Sequence, residues 1–168
     1  LDSDHEGEGP VMPTPDLAVC DDCLRELYIP GDPRYLNPFI SCISCGPRFS
    51  IMRSIPYDRV TTAMDVFPMC PLCAAQYKDQ SDRRYHAQTV CCNHCGPRLS
   101  FRDRDGQYAE SKAIEKAVEA LLCNGIIAIK GIGGYHFACS PFDEAAVARL
   151  RVLKGRERKP FAVMFQNI

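Results

Sequence analysis

At 168 residues with 46% apolar side chains, the chain is too apolar for a disordered segment. Its net charge of −1, from 20 basic and 21 acidic residues, argues against the basic face of a general nucleic-acid binder. No run of about 18 apolar residues exists, so no membrane-spanning helix is expected.

Residues 1–14, LDSDHEGEGPVMPT, read as an acidic, flexible entry segment. There is no basic stretch followed by an apolar run, so the segment is not a secretory leader, and the first residue is not Met, which suggests a piece of a longer protein. Eleven cysteines is an odd count for a disulfide scaffold. Cysteines this dense, without a leader, point to the reducing cytoplasm and to metal binding or catalysis.

The cysteine spacing is the strongest signal. Cys20 and Cys23 form one CxxC, followed after 18 residues by Cys42 and Cys45; Cys70 and Cys73 form another, followed after 18 residues by Cys92 and Cys95. Adding 50 carries every cysteine of the first set onto the second, and also Asp32, Arg34 and Tyr35 onto Asp82, Arg84 and Tyr85, and Gly46-Pro47-Arg48 onto Gly96-Pro97-Arg98. A fixed period of this kind marks two copies of one structural unit, here a first module over 15–60 and a second over 61–110.

A CxxC turn sets two thiolates on one side of a metal, and a second, returned by a short hairpin, closes a tetrahedron with bonds of about 2.3 Å to zinc. The glycine of each Cys-Gly-Pro-Arg is expected at positive φ. Neither module carries enough apolar residues to fold alone, so metal must supply much of the folding free energy, about 10–16 kcal/mol for a structural zinc. Disulfides, an iron–sulfur cluster and redox CxxC motifs are rival readings that fit the paired knuckles less well. Each site is expected to close within its own repeat, with pairing across the repeats as the alternative. Four thiolates leave no open coordination position, so two structural Zn2+ ions are expected, with His86 and His94 outside the ligand set. Cys91 reads as a spare thiol beside a ligand, and Cys123 and Cys139 as small buried apolar residues.

From residue 111 the pattern changes. Ile114, Ala117, Val118, Leu121 and Leu122 share one helical face and Asn124-Gly125 ends the helix. Ile126–Ile129 reads as a buried strand, His136–Cys139 as a second, and Phe161–Phe165 as a third. Ser140 is expected to cap another helix with Pro141 at its first position and Val147, Leu150 and Leu153 facing inward. The loop Gly131-Ile132-Gly133-Gly134 lacks the lysine and serine of a phosphate loop. The cations Arg151, Lys154, Arg156, Arg158 and Lys159 suit either phosphate binding or a solvated helix end. The fold class expected is thus small zinc-stabilised tandem modules, four-cysteine sites with little regular secondary structure, followed by a truncated α/β domain over 111–168.

The segments PDLAVCDDC, PFISCISCGPRFSI, PYDR and RRYHAQ closely resemble the HypF family of hydrogenase maturation carbamoyltransferases, and AIKGIGGYHFAC with LKGRERKPFAVM resembles the start of that family's YrdC-like domain. The resemblance implies a parent enzyme that uses carbamoyl phosphate and ATP, with Mg2+, to form a carbamoyl-adenylate. It then carbamoylates the C-terminal cysteine of a HypE-like acceptor protein, for the cyanide ligands of [NiFe]-hydrogenase. It further implies nucleotide-phosphate contacts from Lys154, Arg156 and Lys159, carbamate or adenylate contacts from Lys130 and Tyr135, and a lesser role for His136. Activity of this fragment alone is not expected. The competing reading is a zinc-based protein- or nucleic-acid-binding module without catalysis.

Overall fold

The structure, a computed structural model, describes residues 15–109, 111–131 and 133–165, so the entry segment 1–14 lies outside the described residues. The chain divides into two compact units, Leu1–Arg98 and Leu99–Ile168. Both cysteine repeats fall in the first.

In that unit each first CxxC opens a helix. Cys20 is the extended residue before α1 (Asp21–Leu27), and its carbonyl accepts the Leu24 N–H at 2.8 Å; Cys70 stands in the same way before α2 (Pro71–Lys78), accepting from Ala74 at 2.9 Å. Pro71 sits in the first turn of α2, where a missing N–H costs nothing.

The hairpin expected between the two knuckles is replaced by a chain of tight turns, and no strand is formed among the described residues before 99. The cause is local. The Asp32 side chain accepts the Arg34 N–H at 2.7 Å and the Asp32 carbonyl the Tyr35 N–H at 2.9 Å; Asp82 treats Arg84 and Tyr85 alike, at 2.8 and 2.9 Å. Further turns from Arg34 to Asn37 and from Asn37 to Ile40 satisfy the backbone without a ladder. Leu36 and His86, 50 apart, share the left-handed conformation, at φ 53° and 52°.

Gly46 and Gly96 are not at positive φ, contrary to expectation; among the described glycines Gly31, Gly134 and Gly155 are. Space makes them necessary instead. A Cβ on Gly46 would lie 2.3 Å from the Cys42 carbonyl oxygen, and one on Gly96 2.8 Å from the Cys91 sulfur. Each glycine N–H closes its knuckle by donating to the carbonyl of Cys42 or Cys92, at 2.7 and 2.8 Å.

The apolar cores of this unit are small. In the first repeat Cys23, Ile40, Cys42 and Cys45 are buried together; in the second, Cys73, Ala87, Val90 and Cys92. One or two aliphatic side chains per repeat, each worth about 1.5–3 kcal/mol of burial, cannot offset the ordering of some thirty residues.

In the second unit β1 (Ser100–Arg102) and β2 (Gln107–Ala109) pair antiparallel, with Phe101 opposite Tyr108, and α3 (Ser111–Leu122) packs on them. Ala113 is its buried residue, whereas Val118 and Leu122 of the expected inner face are exposed. Asn124, at φ 59°, is the left-handed residue that ends α3; Gly125 is needed because its N–H reaches the Ala120 carbonyl at 2.8 Å, where a Cβ would collide. Cys123 is exposed rather than buried, because it lies beyond the packed turns of α3.

β3 (Ile127–Gly131) and β4 (Gly134–Ala138) form a second antiparallel hairpin, closed by the pair Gly131 and Gly134. Its strands are largely exposed, so Ile126–Ile129 is not a buried strand. The next helix, α4 (Glu144–Lys154), is capped by Asp143, whose carboxylate accepts the Ala146 N–H at 3.0 Å. Ser140 instead accepts the Asp143 N–H in a preceding turn, at 3.4 Å. The carboxylate is the stronger acceptor for a helix N-terminus and the start moves to it. Ala146 and Leu150 are the buried residues of α4, and Leu153 is exposed. Residues 161–165 form no strand, since none of the described residues pairs with them.

Candidate metal centres

The eight cysteines gather into two clusters, Cys20, Cys23, Cys42 and Cys45 in one and Cys70, Cys73, Cys92 and Cys95 in the other, each within its own repeat. In the first, the sulfurs of Cys20 and Cys42 are 3.6 Å apart, those of Cys42 and Cys45 3.9 Å, and those of Cys23 and Cys45 3.6 Å. In the second the matching separations are 3.7, 3.8 and 3.6 Å. A tetrahedron with zinc–sulfur bonds of about 2.3 Å has edges of about 3.8 Å. The distances fit the edges of a coordination tetrahedron, and are far too long for disulfides of about 2.05 Å.

In each repeat one cysteine of the second knuckle, Cys42 or Cys95, is held toward the thiolate, whereas burial pushes Cys92 up. Burial pushes the Cys42 thiol up, but the N–H groups of Cys45 and Ser44 and the Cys20 and Cys23 thiols outweigh it and set it at about 6. Burial is likewise outweighed at Cys95 by the N–H groups of Cys70 and Cys92 and the thiols of Cys73 and Cys70, giving about 7. At Cys23 and Cys73 burial wins and drives the thiols up. Anions packed this closely need a cation among them, and a divalent ion taking four thiolates is the chemistry of zinc.

His86 and His94 lie outside both clusters; His86 is exposed and stacks edge-on against Tyr85, with ring centroids 4.4 Å apart. Cys91 is buried beside the second cluster and its thiol is pushed up to about 11, first by burial and then by Cys95, which keeps it a thiol.

The spacing did not reveal that the two repeats interlock. Arg34, 2% exposed, crosses to the second repeat, where Nε donates to the Cys91 carbonyl at 2.9 Å and Nη2 to Gln76 Oε1 at 2.6 Å. Arg84, also 2% exposed, crosses to the first, donating from Nε to the Ser41 carbonyl at 3.1 Å and from Nη2 to Glu26. Ser41 and Cys91, and Glu26 and Gln76, are themselves 50 apart. Backbone bonds repeat the exchange: Asn93 N–H to the Pro33 carbonyl at 3.0 Å, and Ile43 N–H to the Arg83 carbonyl at 3.2 Å. Arg59, from the connector, donates to the carbonyls of Gln88, Val90 and Phe67 at 2.9, 2.9 and 2.6 Å. The recurrence of Arg34 at Arg84 was the available signal; that the pair exchanges is a tertiary fact.

In the second unit, Lys130 and Tyr135 are cross-strand partners on β3 and β4. Strand alternation puts Phe137 on their face and His136 on the other. Lys154, at the end of α4, holds its ammonium 5.3 Å from the Phe137 ring centre, so the structure brings Lys130, Tyr135 and Lys154 to one side of the hairpin. Arg156 and Lys159 follow the left-handed Gly155, and their carbonyls accept from Arg151 at 3.3 and 3.1 Å. Arg151 also lies 4.9 Å from the Phe161 ring centre, so this member of the basic cluster is spent on folding the segment back.

The family described as HypF finger matches residues 19–52 and 69–102, and the Sua5/YciO/YrdC family, described as telomere recombination, matches 119–168. The chain is 51% identical over 156 residues to the carbamoyltransferase HypF of Synechocystis sp., covering 92% of this chain and 20% of that one. Over the part it spans, the chain belongs to the HypF family. It is 50% identical over 154 residues to the carbamoyltransferase HypF2 of Cupriavidus necator, covering 91% and 19%. A crystal structure of full-length HypF in the phosphate- and nucleotide-bound form matches 96% of this chain, at 48% identity and a TM-score of 0.82, over 21% of that protein. The T. kodakarensis HypF matches with a TM-score of 0.83 at 48% identity, over 90% of this chain and 20% of its own. The chain therefore spans about a fifth of the length of the relatives it matches. Among the described residues no helix is long and apolar enough to cross a membrane.

Proposed function

We propose that the chain is the zinc-finger region and the opening of the YrdC-like domain of a carbamoyltransferase. In this reading the enzyme takes carbamoyl phosphate and ATP with Mg2+, forms a carbamoyl-adenylate, and passes the carbamoyl group to the C-terminal cysteine of a HypE-like acceptor in [NiFe]-hydrogenase maturation. The observation that carries it is the 51% identity over 92% of the chain to a protein named carbamoyltransferase HypF.

Both four-cysteine clusters hold Zn2+ as closed structural sites, with Cys20, Cys23, Cys42 and Cys45 as one ligand set and Cys70, Cys73, Cys92 and Cys95 as the other. Sulfur separations matching tetrahedral edges support this. Thiolates of this density belong in the reducing cytoplasm. Lys154, Arg156 and Lys159 meet nucleotide phosphates, and Lys130 and Tyr135 the carbamate or adenylate. Their role is electrostatic: donors fixed where charge develops. The cross-strand pairing of Lys130 with Tyr135 and the reach of Lys154 over Phe137 support it.

The test uses the full-length parent. It is expected to consume ATP only with carbamoyl phosphate present, and Lys154→Ala to lower turnover at least tenfold while both metals stay bound. A parent that turns over neither substrate contradicts the reading.

A further inference from the structure

We infer that each metal cluster is braced in trans, by an arginine of the opposite repeat that donates to one of its thiolates, so that the two sites gain and lose metal as a coupled pair. This rests on the reading of both clusters as zinc sites and goes beyond it.

The contacts are specific. Arg83 of the second repeat places Nη1 3.1 Å from the Cys23 sulfur and 4.0 Å from that of Cys20. Arg34 of the first repeat places Nη2 3.5 Å from the Cys73 sulfur. Cys23 and Cys73 are the buried second cysteines of the two helix-opening knuckles, both 0% exposed. A divalent ion with four thiolates carries two net negative charges, and burying such a group is costly unless donors or cations face it. Here they come from the other module.

The two braces are built differently. On the first cluster Arg83 and Arg84 converge on Glu26, Arg83 at 2.8 Å, so two cations meet one carboxylate beside the thiolates. On the second, position 33 is Pro where 83 is Arg, and position 76 is Gln where 26 is Glu. Arg34 faces that cluster with a neutral partner, Gln76, and Arg59 is a second cation close enough to interact with Cys95 and Cys73.

Coupling follows from folding. The turn that carries Arg34 is tied at both ends to the first cluster, between Cys23 and Cys42, and the turn that carries Arg83 and Arg84 to the second, between Cys73 and Cys92. Metal in one repeat therefore fixes the donor that the other repeat's thiolate needs. Linkage makes the effect reciprocal. Partners that bond to ligating groups are worth about 10–100-fold in metal affinity when removed.

The test loads the full chain with 113Cd2+, reads one resonance per cluster, and maps cysteine alkylation during a chelator challenge. Arg34→Met is expected to shift the resonance of the Cys70, Cys73, Cys92 and Cys95 site and to speed its metal loss at least tenfold, ahead of the other site. Arg83→Met, at a side chain a quarter exposed, is expected to do the same to the Cys20, Cys23, Cys42 and Cys45 site, and it keeps the test open if the buried Arg34 variant fails to fold. Metal loss confined to the mutated residue's own repeat, or unchanged resonances and release rates, overturns the brace while leaving the zinc reading intact. A wild-type chain that takes up no cadmium or zinc overturns the zinc reading and the brace together.

Discussion

The two units of this chain are stable for opposite reasons. In the first, most of the deeply buried groups are polar or thiol: Cys23, Cys42, Cys45, Cys73, Arg34 and Arg84 are each 2% exposed or less, as are Asn37, Ser41 and Thr62. In the second, the buried residues among those described are Ala113, Ala146 and Leu150, and order comes from two hairpins and two helices of ordinary backbone bonding. Phe137, Phe142, Val152 and Met164 stand exposed there. A unit organised by coordination depends on a few heteroatoms held in fixed geometry. A unit organised by secondary structure depends on caps, turns and pairing, each worth far less.

Metal removal separates them most sharply. A structural zinc supplies about 10–16 kcal/mol of folding free energy, so chelation is expected to abolish amide-exchange protection across 15–98 while leaving α3 and α4 protected. Cys23→Ser or Cys73→Ser is expected to do the same, first in its own repeat and more weakly in the other, and equal loss in both units would show that they are not independent. Next in size, Arg84→Ala leaves the Ser41 carbonyl without its buried donor and Glu26 with Arg83 alone. Losing a buried hydrogen bond to a charged group costs about 1.5–3 kcal/mol, and a denaturant titration of the metal-loaded chain measures it. Gly46→Ala forces a methyl against the Cys42 carbonyl and is expected to cost about 1–3 kcal/mol, read as a lower melting temperature with faster chelator release from the first cluster. The smallest effect belongs to the second unit: Asp143→Ala removes one helix cap, about 1 kcal/mol, and is expected to weaken exchange protection in α4 without touching either metal site.

Much of this was legible in the sequence, because coordination chemistry writes itself in spacing. Two CxxC pairs repeated at 50 residues announce two tetrahedral clusters whatever the chain does between them. The intervening path was not legible: Asp32 and Asp82 capture the next turn with their carboxylates, so turns replaced the expected hairpin. A Cys-Gly-Pro turn suggests positive φ for Gly46 and Gly96, but their constraint is a close approach that only three dimensions reveal. The cap of α4 slid from Ser140 to Asp143 because two good acceptors compete within four residues. The crossed arginines were visible as a repeat yet silent as to partner, since a shift of 50 gives equivalence and not contact. In the second unit the basic cluster read as one group, and packing divided it: Arg151 folds the chain back while Lys154 reaches the hairpin face.

The central claim is that eight sulfurs around two divalent ions hold the first unit together. Metal content of the reduced protein, measured on the same sample as its amide exchange, tests it most directly. Two zinc ions per chain are expected, with protection over 15–98 that disappears when they are withdrawn. A reduced chain that keeps that protection with no ion bound would contradict the account.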